Sequence, residues 1–149
     1  MEQRFKTFTT LIASISRGIR RIKAEEMAEF ALKSPHVSCL YYLYSEGNLT
    51  AKELCDICEE DKANISRSIK YLEENGFVFC DSKTQKRYQA PLELTEKGRD
   101  VAKHLALKID TMLMAASEGV SESDRDIMYQ SLSQINDNLA RICDEYDEA

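Results

Sequence analysis

Residues 61–76 read Asp61-Lys62-Ala63-Asn64-Ile65-Ser66-Arg67-Ser68-Ile69-Lys70-Tyr71-Leu72-Glu73-Glu74-Asn75-Gly76. Ile65, Ile69 and Leu72 recur at i, i+4 and i+7, which is one face of an α-helix. Lys62, Asn64, Ser66, Arg67 and Lys70 fall off that face. A helix with one buried stripe and a free face of cations, amides and hydroxyls has what DNA reading needs. Cations meet phosphate or guanine, and Asn and Ser bond base edges. Asp61 suits the N-cap and Gly76 the position just past the C-cap.

The neighbouring segments set the context of that helix. Upstream, Thr50-Ala51-Lys52-Glu53 is a capping-box pattern, and Leu54, Cys55 and Cys58 give a short helix its apolar side. Glu59-Glu60-Asp61 carries a turn into the next cap, so two helices stand in tandem as a helix-turn-helix. Downstream, Phe77-Val78-Phe79-Cys80 is a strand-like run, and Asp81 to Lys86 is polar and turn-like. Tyr88, Ala90, Leu92 and Leu94 then alternate at period two, and Pro91 is expected to confine that strand to a sheet edge. Two strands with a basic tip of Lys83, Lys86 and Arg87 after a helix-turn-helix make a winged helix.

The set of residues resembles the MarR family of transcriptional regulators. The matching pieces are Pro35-His36-Val37, Leu49 to Leu54, Asp61-Lys62-Ala63 with Ile65-Ser66-Arg67, Leu72 to Gly76, Arg87 to Leu92, and Leu94-Thr95-Glu96-Lys97-Gly98. Order and spacing fit over nearly the whole chain, and Leu94 to Gly98 is the most distinctive piece. Wings of the family often carry an aspartate followed closely by arginines. Here Thr84 stands in the aspartate's place, while Lys86 and Arg87 keep the cation. The resemblance implies a mainly α fold with a small β-hairpin wing. The winged helix-turn-helix lobe spans residues 34–94 of a single domain, 1–149. Long terminal helices, 1–33 and 95–149, interlock two subunits.

The terminal segments carry the same expectation in their patterning. From about Glu2 to Leu32, Phe5, Phe8, Ile12, Ile15, Ile19 and Ile22 form a helical stripe. From Thr95 to Ser117, Val101, Leu105, Ile109 and Met112 line up, and Gly119 ends the run. Ser121 caps a last helix whose stripe is Met128, Leu132, Ile135, Leu139, Ile142 and Tyr146. Three apolar stripes outside the winged helix must bury against something, and a second copy of the chain is the physical candidate.

A chain of 149 residues is one domain's worth and long enough for a core. No stretch is long and apolar enough to cross a membrane. The start Met1 to Lys6 lacks a signal peptide's apolar segment, so a cytoplasmic location with reduced thiols is the expectation for the five cysteines. The net charge of −6 looks wrong for a DNA binder, but its distribution resolves this. Residues 62–88 hold six basic against three acidic side chains; residues 118–149 hold two against nine. The acidity lies away from the proposed reading surface and should repel DNA there.

No Gly-rich phosphate loop, no Gly-x-Ser-x-Gly and no histidine–carboxylate grouping marks an enzyme. Cys55-x-x-Cys58 would need two more ligands to hold zinc, and small apolar packing explains it better. No metal or cofactor is expected. No cationic cluster in the sequence singles out a peroxide-sensing thiol. The expected function is a homodimeric regulator that binds a pseudo-palindromic duplex. Thr50, Lys62, Asn64, Ser66, Arg67 and Lys70 would contact DNA, with Lys83, Lys86 and Arg87 on the wing. The resemblance further implies a small-molecule effector, often an aromatic or phenolic anion, wedged near Arg17, Arg20, His36 and Tyr41. Two other readings stay open: a winged-helix module that binds protein, and a thiol-based redox sensor.

Overall fold

Helix α1 runs Glu2–Glu26 and stops there, short of the expected end near Leu32. The chain then makes a 3-10 turn, Ala28–Phe30, and Ala31 takes a left-handed conformation at φ 56°. The reason lies in packing. Met27 and Leu32 are both buried in the core, and the elbow between them delivers both side chains inward. The Ala31 carbonyl, turned out by that strained residue, accepts a hydrogen bond from the Tyr71 hydroxyl at 2.8 Å. The computed structural model describes residues 2–58, 60–80 and 89–149.

Helices α2 (Ser34–Glu46), α3 (Ala51–Cys58) and α4 (Lys62–Glu74) follow. Pro35 sits in the first turn of α2, where a missing N–H breaks no helical bond. The capping box of α3 is present as expected. The Thr50 N–H donates to Glu53 Oε2 at 2.8 Å, and the Glu53 N–H donates to Thr50 Oγ1 at 3.2 Å. Val37, Cys39, Leu40, Leu54, Ile65 and Leu72 pack the centre of this lobe. The core also draws in Val101, Ala102 and Leu105 from α5 (Glu96–Ala116), so it reaches beyond the 34–94 segment.

Strands β1 (Val78–Cys80) and β2 (Leu92–Leu94) pair antiparallel, with Val78 opposite Leu94 and Cys80 opposite Leu92. As expected of a strand that follows Pro91, β2 is an edge of this two-stranded sheet, and its outer side carries an isolated bridge. The Leu92 N–H donates to the Leu49 carbonyl at 2.8 Å, on the side of β2 away from β1. Pro91 lies just before the ladder, so its missing N–H costs the sheet no bond. The second strand is also shorter than its period-two pattern, because Ala90 is buried outside the ladder. The turn from Asp81 to Lys86, and the cations Lys83, Lys86 and Arg87, lie outside the described residues.

The segment Leu94 to Gly98 is a clamp. Thr95 Oγ1 accepts the Gly98 N–H at 2.9 Å, capping α5, and its hydroxyl lies 2.6 Å from the Gly76 carbonyl. The Thr95 N–H donates to the Phe77 carbonyl at 3.0 Å. Lys97 Nζ donates to the Asn75 carbonyl at 2.7 Å and lies 4.3 Å above the Phe77 ring. Gly98 packs so closely that a Cβ there would collide with the Phe77 carbonyl. The first turn of α5 thus grips the end of α4 and the entry to β1.

The chain divides into two compact units, Met1–Thr111 and Met112–Ala149. The second holds the end of α5 and helix α6 (Glu122–Asp147). Gly119 has φ 85°, and Ser121 caps α6 by accepting the Asp124 N–H at 3.1 Å. Within this chain α6 buries none of its residues, and Leu139 and Tyr146 are 51% and 76% exposed. In the first unit, the stripe of α1 is likewise open, with Phe5 73% exposed. Among the described residues, no helix is long and apolar enough to cross a membrane.

Candidate nucleic-acid interface

Helix α4 buries Ile65, Ser68, Ile69 and Leu72 and leaves Lys62, Ser66, Arg67 and Lys70 exposed. The period of the sequence decides this division, and the fold seats the buried stripe on α2 and α3. The helix begins at a fixed point. Asp61 Oδ1 accepts the Asn64 N–H at 2.6 Å, with Asp61 in an extended conformation as an N-cap requires. At the other end the Asn75 N–H turns back to Tyr71 and Glu73, and Gly76 has φ 75°, a conformation that favours glycine. Ser68 is buried, and its hydroxyl donates to the Asn64 carbonyl at 2.9 Å.

The proposed contact residues differ in how much of each is already engaged. Arg67 stands exposed and makes no ion pair with any described residue. Lys70 pairs with Glu74 at 4.0 Å, but both side chains are mostly exposed. An exposed i, i+4 pair of this kind contributes only about 0.3–0.5 kcal/mol, so phosphate can compete for the lysine. Asn64 is half-buried, and its amide Nδ2 donates to Glu60 Oε2 at 2.6 Å. That bond must be exchanged before the amide can donate to a base. Glu60 had no role in the sequence reading, since a turn residue gives no sign of which side chain it will hold. Thr50 uses its hydroxyl to cap α3.

The four residues expected around an effector occupy different settings. Arg17 and Arg20 are exposed on α1 and line an open groove of about 420 Å³ with Phe8, Ile12 and Ser16. His36 and Tyr41 are not among its lining residues. His36 is buried, its Nδ1 accepts the Lys33 N–H at 3.0 Å, and its ring stacks on Tyr71 at 4.3 Å and 9°. Tyr41 is half-buried and meets Tyr42 edge to face, 5.3 Å between centroids.

Comparison with known proteins agrees with this geometry. Residues 32–87 match the model of the MarR family. The HTH-type transcriptional regulator YwoH of Bacillus subtilis, itself uncharacterised, is 41% identical over 71 residues. That alignment covers 46% of this chain and 52% of YwoH, so the chain spans about half the length of that relative. Among solved structures, a Listeria monocytogenes protein in complex with 26mer DNA superposes with a TM-score of 0.82 at 23% identity, over 89% of each chain. The S. aureus MepR–DNA complex gives 0.77 at 18% identity, over 89% of this chain and 97% of MepR. At these identities the likeness is one of fold.

Proposed function

We propose that this chain is a transcriptional regulator of the MarR type, whose family model residues 32–87 match, and that it acts as a DNA-binding homodimer and not as an enzyme. The observation that carries the reading is α4, whose cationic and hydroxyl face is exposed while its apolar stripe is fully packed. A protein-binding module would present an apolar or acidic face there instead. Two proteins of the same fold were solved with DNA, which supports duplex DNA as the partner.

In this reading Arg67, Ser66 and Lys62 enter the major groove, and Lys70 meets the backbone. Lys83, Lys86 and Arg87 of the wing contact phosphate or the minor groove. Two copies bury the open stripes of α1 and α6 against each other. Their recognition helices then reach successive major grooves about one turn apart, roughly 34 Å. Arg17 and Arg20 are the cations an anionic effector would meet.

Selection of bound sequences from random duplex DNA tests the reading, with band shifts on the selected site. A pseudo-palindrome should emerge, and Arg67→Ala should cost about 1–3 kcal/mol on it and relax preference at particular base pairs. On random DNA the same variant should lose far less. Benzoate added to the band shift should release DNA from the wild type more than from Arg17→Ala. No enriched sequence, or equal losses for Arg67→Ala on selected and random DNA, would remove the reading.

A further inference from the structure

The first turn of α4 carries an amide that is already held before any partner arrives. Asn64 is fixed at three points. Its backbone N–H donates to Asp61 Oδ1 at 2.6 Å, and its carbonyl accepts the Ser68 hydroxyl at 2.9 Å. Its side-chain Nδ2 donates to Glu60 Oε2, also at 2.6 Å. Asn64 and Glu60 are both half-buried, whereas Ser66 and Arg67 on the same helix stand exposed. The backbone of Asn64 is thus set by the cap and by Ser68, and its one remaining freedom, the turn of the amide, is set by Glu60.

The chemistry of the partner decides which end of the amide faces it. A carboxylate only accepts, so Glu60 takes the nitrogen end of Asn64 and never the oxygen. A bond to a charged acceptor is about twice as strong as one between neutral groups. The amide is therefore kept in one of its two flips, with Oδ1 turned away from Glu60. Glu60 itself adds further acceptor oxygens and no donor. In the major groove, acceptors suit a base that donates. Cytosine offers its N4 amino group and adenine its N6, while guanine offers only the acceptors O6 and N7 and thymine its O4 and a methyl. A free asparagine behaves differently. It gives to N7 and takes from N6 of adenine, and its donor end also suits the guanine acceptors.

We propose that Glu60 determines specificity by positioning Asn64: it holds the amide so that α4 presents acceptors to one base pair of each half-site, which selects cytosine or adenine there and rejects guanine. Glu60 stands just before the N-cap Asp61, so it moves with the start of α4 and the hold is in place in the free protein. Arg67 lies three residues on from Asn64, on the same face, and its fork of donors suits guanine at a neighbouring pair. Acceptor and donor thus stand side by side on one helix and read opposite kinds of base edge. A carboxylate so placed also repels the phosphates of every sequence alike. The two effects differ in kind, because repulsion changes affinity and positioning changes preference. The choice of base rests on the DNA binding proposed above; the hold of Glu60 on Asn64 does not.

Selection from random duplex DNA, run on the full chain and its variants, tests the proposal. The wild-type site should carry cytosine or adenine at one position of each half-site, and Asn64→Ala should erase that preference and leave the others. Guanine at that position should weaken the wild type about tenfold, as a mismatched pair does, while Glu60→Ala should bind both sites about equally. Glu60→Gln keeps an acceptor oxygen and loses the charge, so it should keep the preference and bind all sequences more tightly. Added to Asn64→Ala, the Glu60→Ala change should alter no preference. A Glu60→Ala chain that binds every sequence more tightly and still rejects guanine would overturn the proposal, as would a Glu60→Gln chain that loses the preference. So would a wild-type site with guanine or thymine at the position that Asn64→Ala identifies. In the protein without DNA, the side-chain amide protons of Asn64 should exchange with water several-fold more slowly than in Glu60→Ala, and equal rates would overturn the hold. If the wild type selects no site at all, it is the DNA-binding reading that fails, and the exchange rates still decide whether Glu60 holds Asn64.

Discussion

At the scale of single residues, His36 carries more of the fold than its place in the sequence suggests. Its ring lies flat on Tyr71 of α4, and its Nδ1 accepts the N–H of Lys33, the N-cap residue of α2. Only a neutral ring can accept there. Burial, and secondly the Lys33 charge, hold its pKa below the ordinary histidine value. The folded value therefore lies under the unfolded one of about 6.5. The stabilisation is complete above that value and is lost as pH falls through the folded pKa. Urea midpoints of the wild type and of His36→Gln should be furthest apart near pH 7.5 and converge toward pH 5. A gap that holds constant, or that widens on acidification, would show that the neutral ring is not what matters. The sequence could mark His36 as a candidate polar residue. It could not show a stacking partner thirty-five positions away.

At the scale of elements, the run Leu94 to Gly98 stands out in the sequence as a pattern and in the structure as a joint. One hydroxyl, one ammonium and one missing Cβ tie α5 to the end of α4 and the start of β1. Because Phe77 is held by the Thr95 N–H, its carbonyl cannot retreat from a side chain at position 98. Gly98→Ala should therefore cost about 1–3 kcal/mol, as overpacking does, and exceed the small helix gain from alanine. Thr95→Val, which keeps the volume and loses the cap, should cost about 0.5–2 kcal/mol. Thermal unfolding checks both, and a Gly98→Ala chain as stable as the wild type would contradict the close approach. The caps at Thr50, Asp61 and Ser121 were all legible, since a cap is decided within four residues. The end of α1 was not, because its stripe gives no sign that Met27 and Leu32 are needed in the core.

For the whole molecule, the open stripes of α1 and α6 set the expectation of a dimer. Phe5, Ile15, Leu139 and Ile142 are apolar side chains left exposed on long helices, and burying each would contribute about 1.5–3 kcal/mol. A lysine at the centre of such an interface is costly. Ile15→Lys combined with Leu139→Lys should sediment as a monomer at micromolar concentration, where the wild type runs at twice the chain mass. The same variant should lose sequence-specific DNA binding while its helical circular dichroism survives. A wild type that sediments as a monomer and still binds the selected site would refute the dimer.

The sequence alone determined the helix-turn-helix, the caps, the strand pairing and the exposed face of α4. Each follows from a period of 2 or 3.6 residues or from a turn chemistry complete within a few positions. The tertiary structure decided the elbow at Ala31, the outer pairing of β2 with Leu49, the stacking of His36 on Tyr71, and the hydrogen bond from Lys23 to Ser38. Those contacts join residues far apart in the chain, and no local period or turn encodes them. They arise only when the apolar stripes of α2, α3 and α4 close on one core and bring their neighbouring side chains with them.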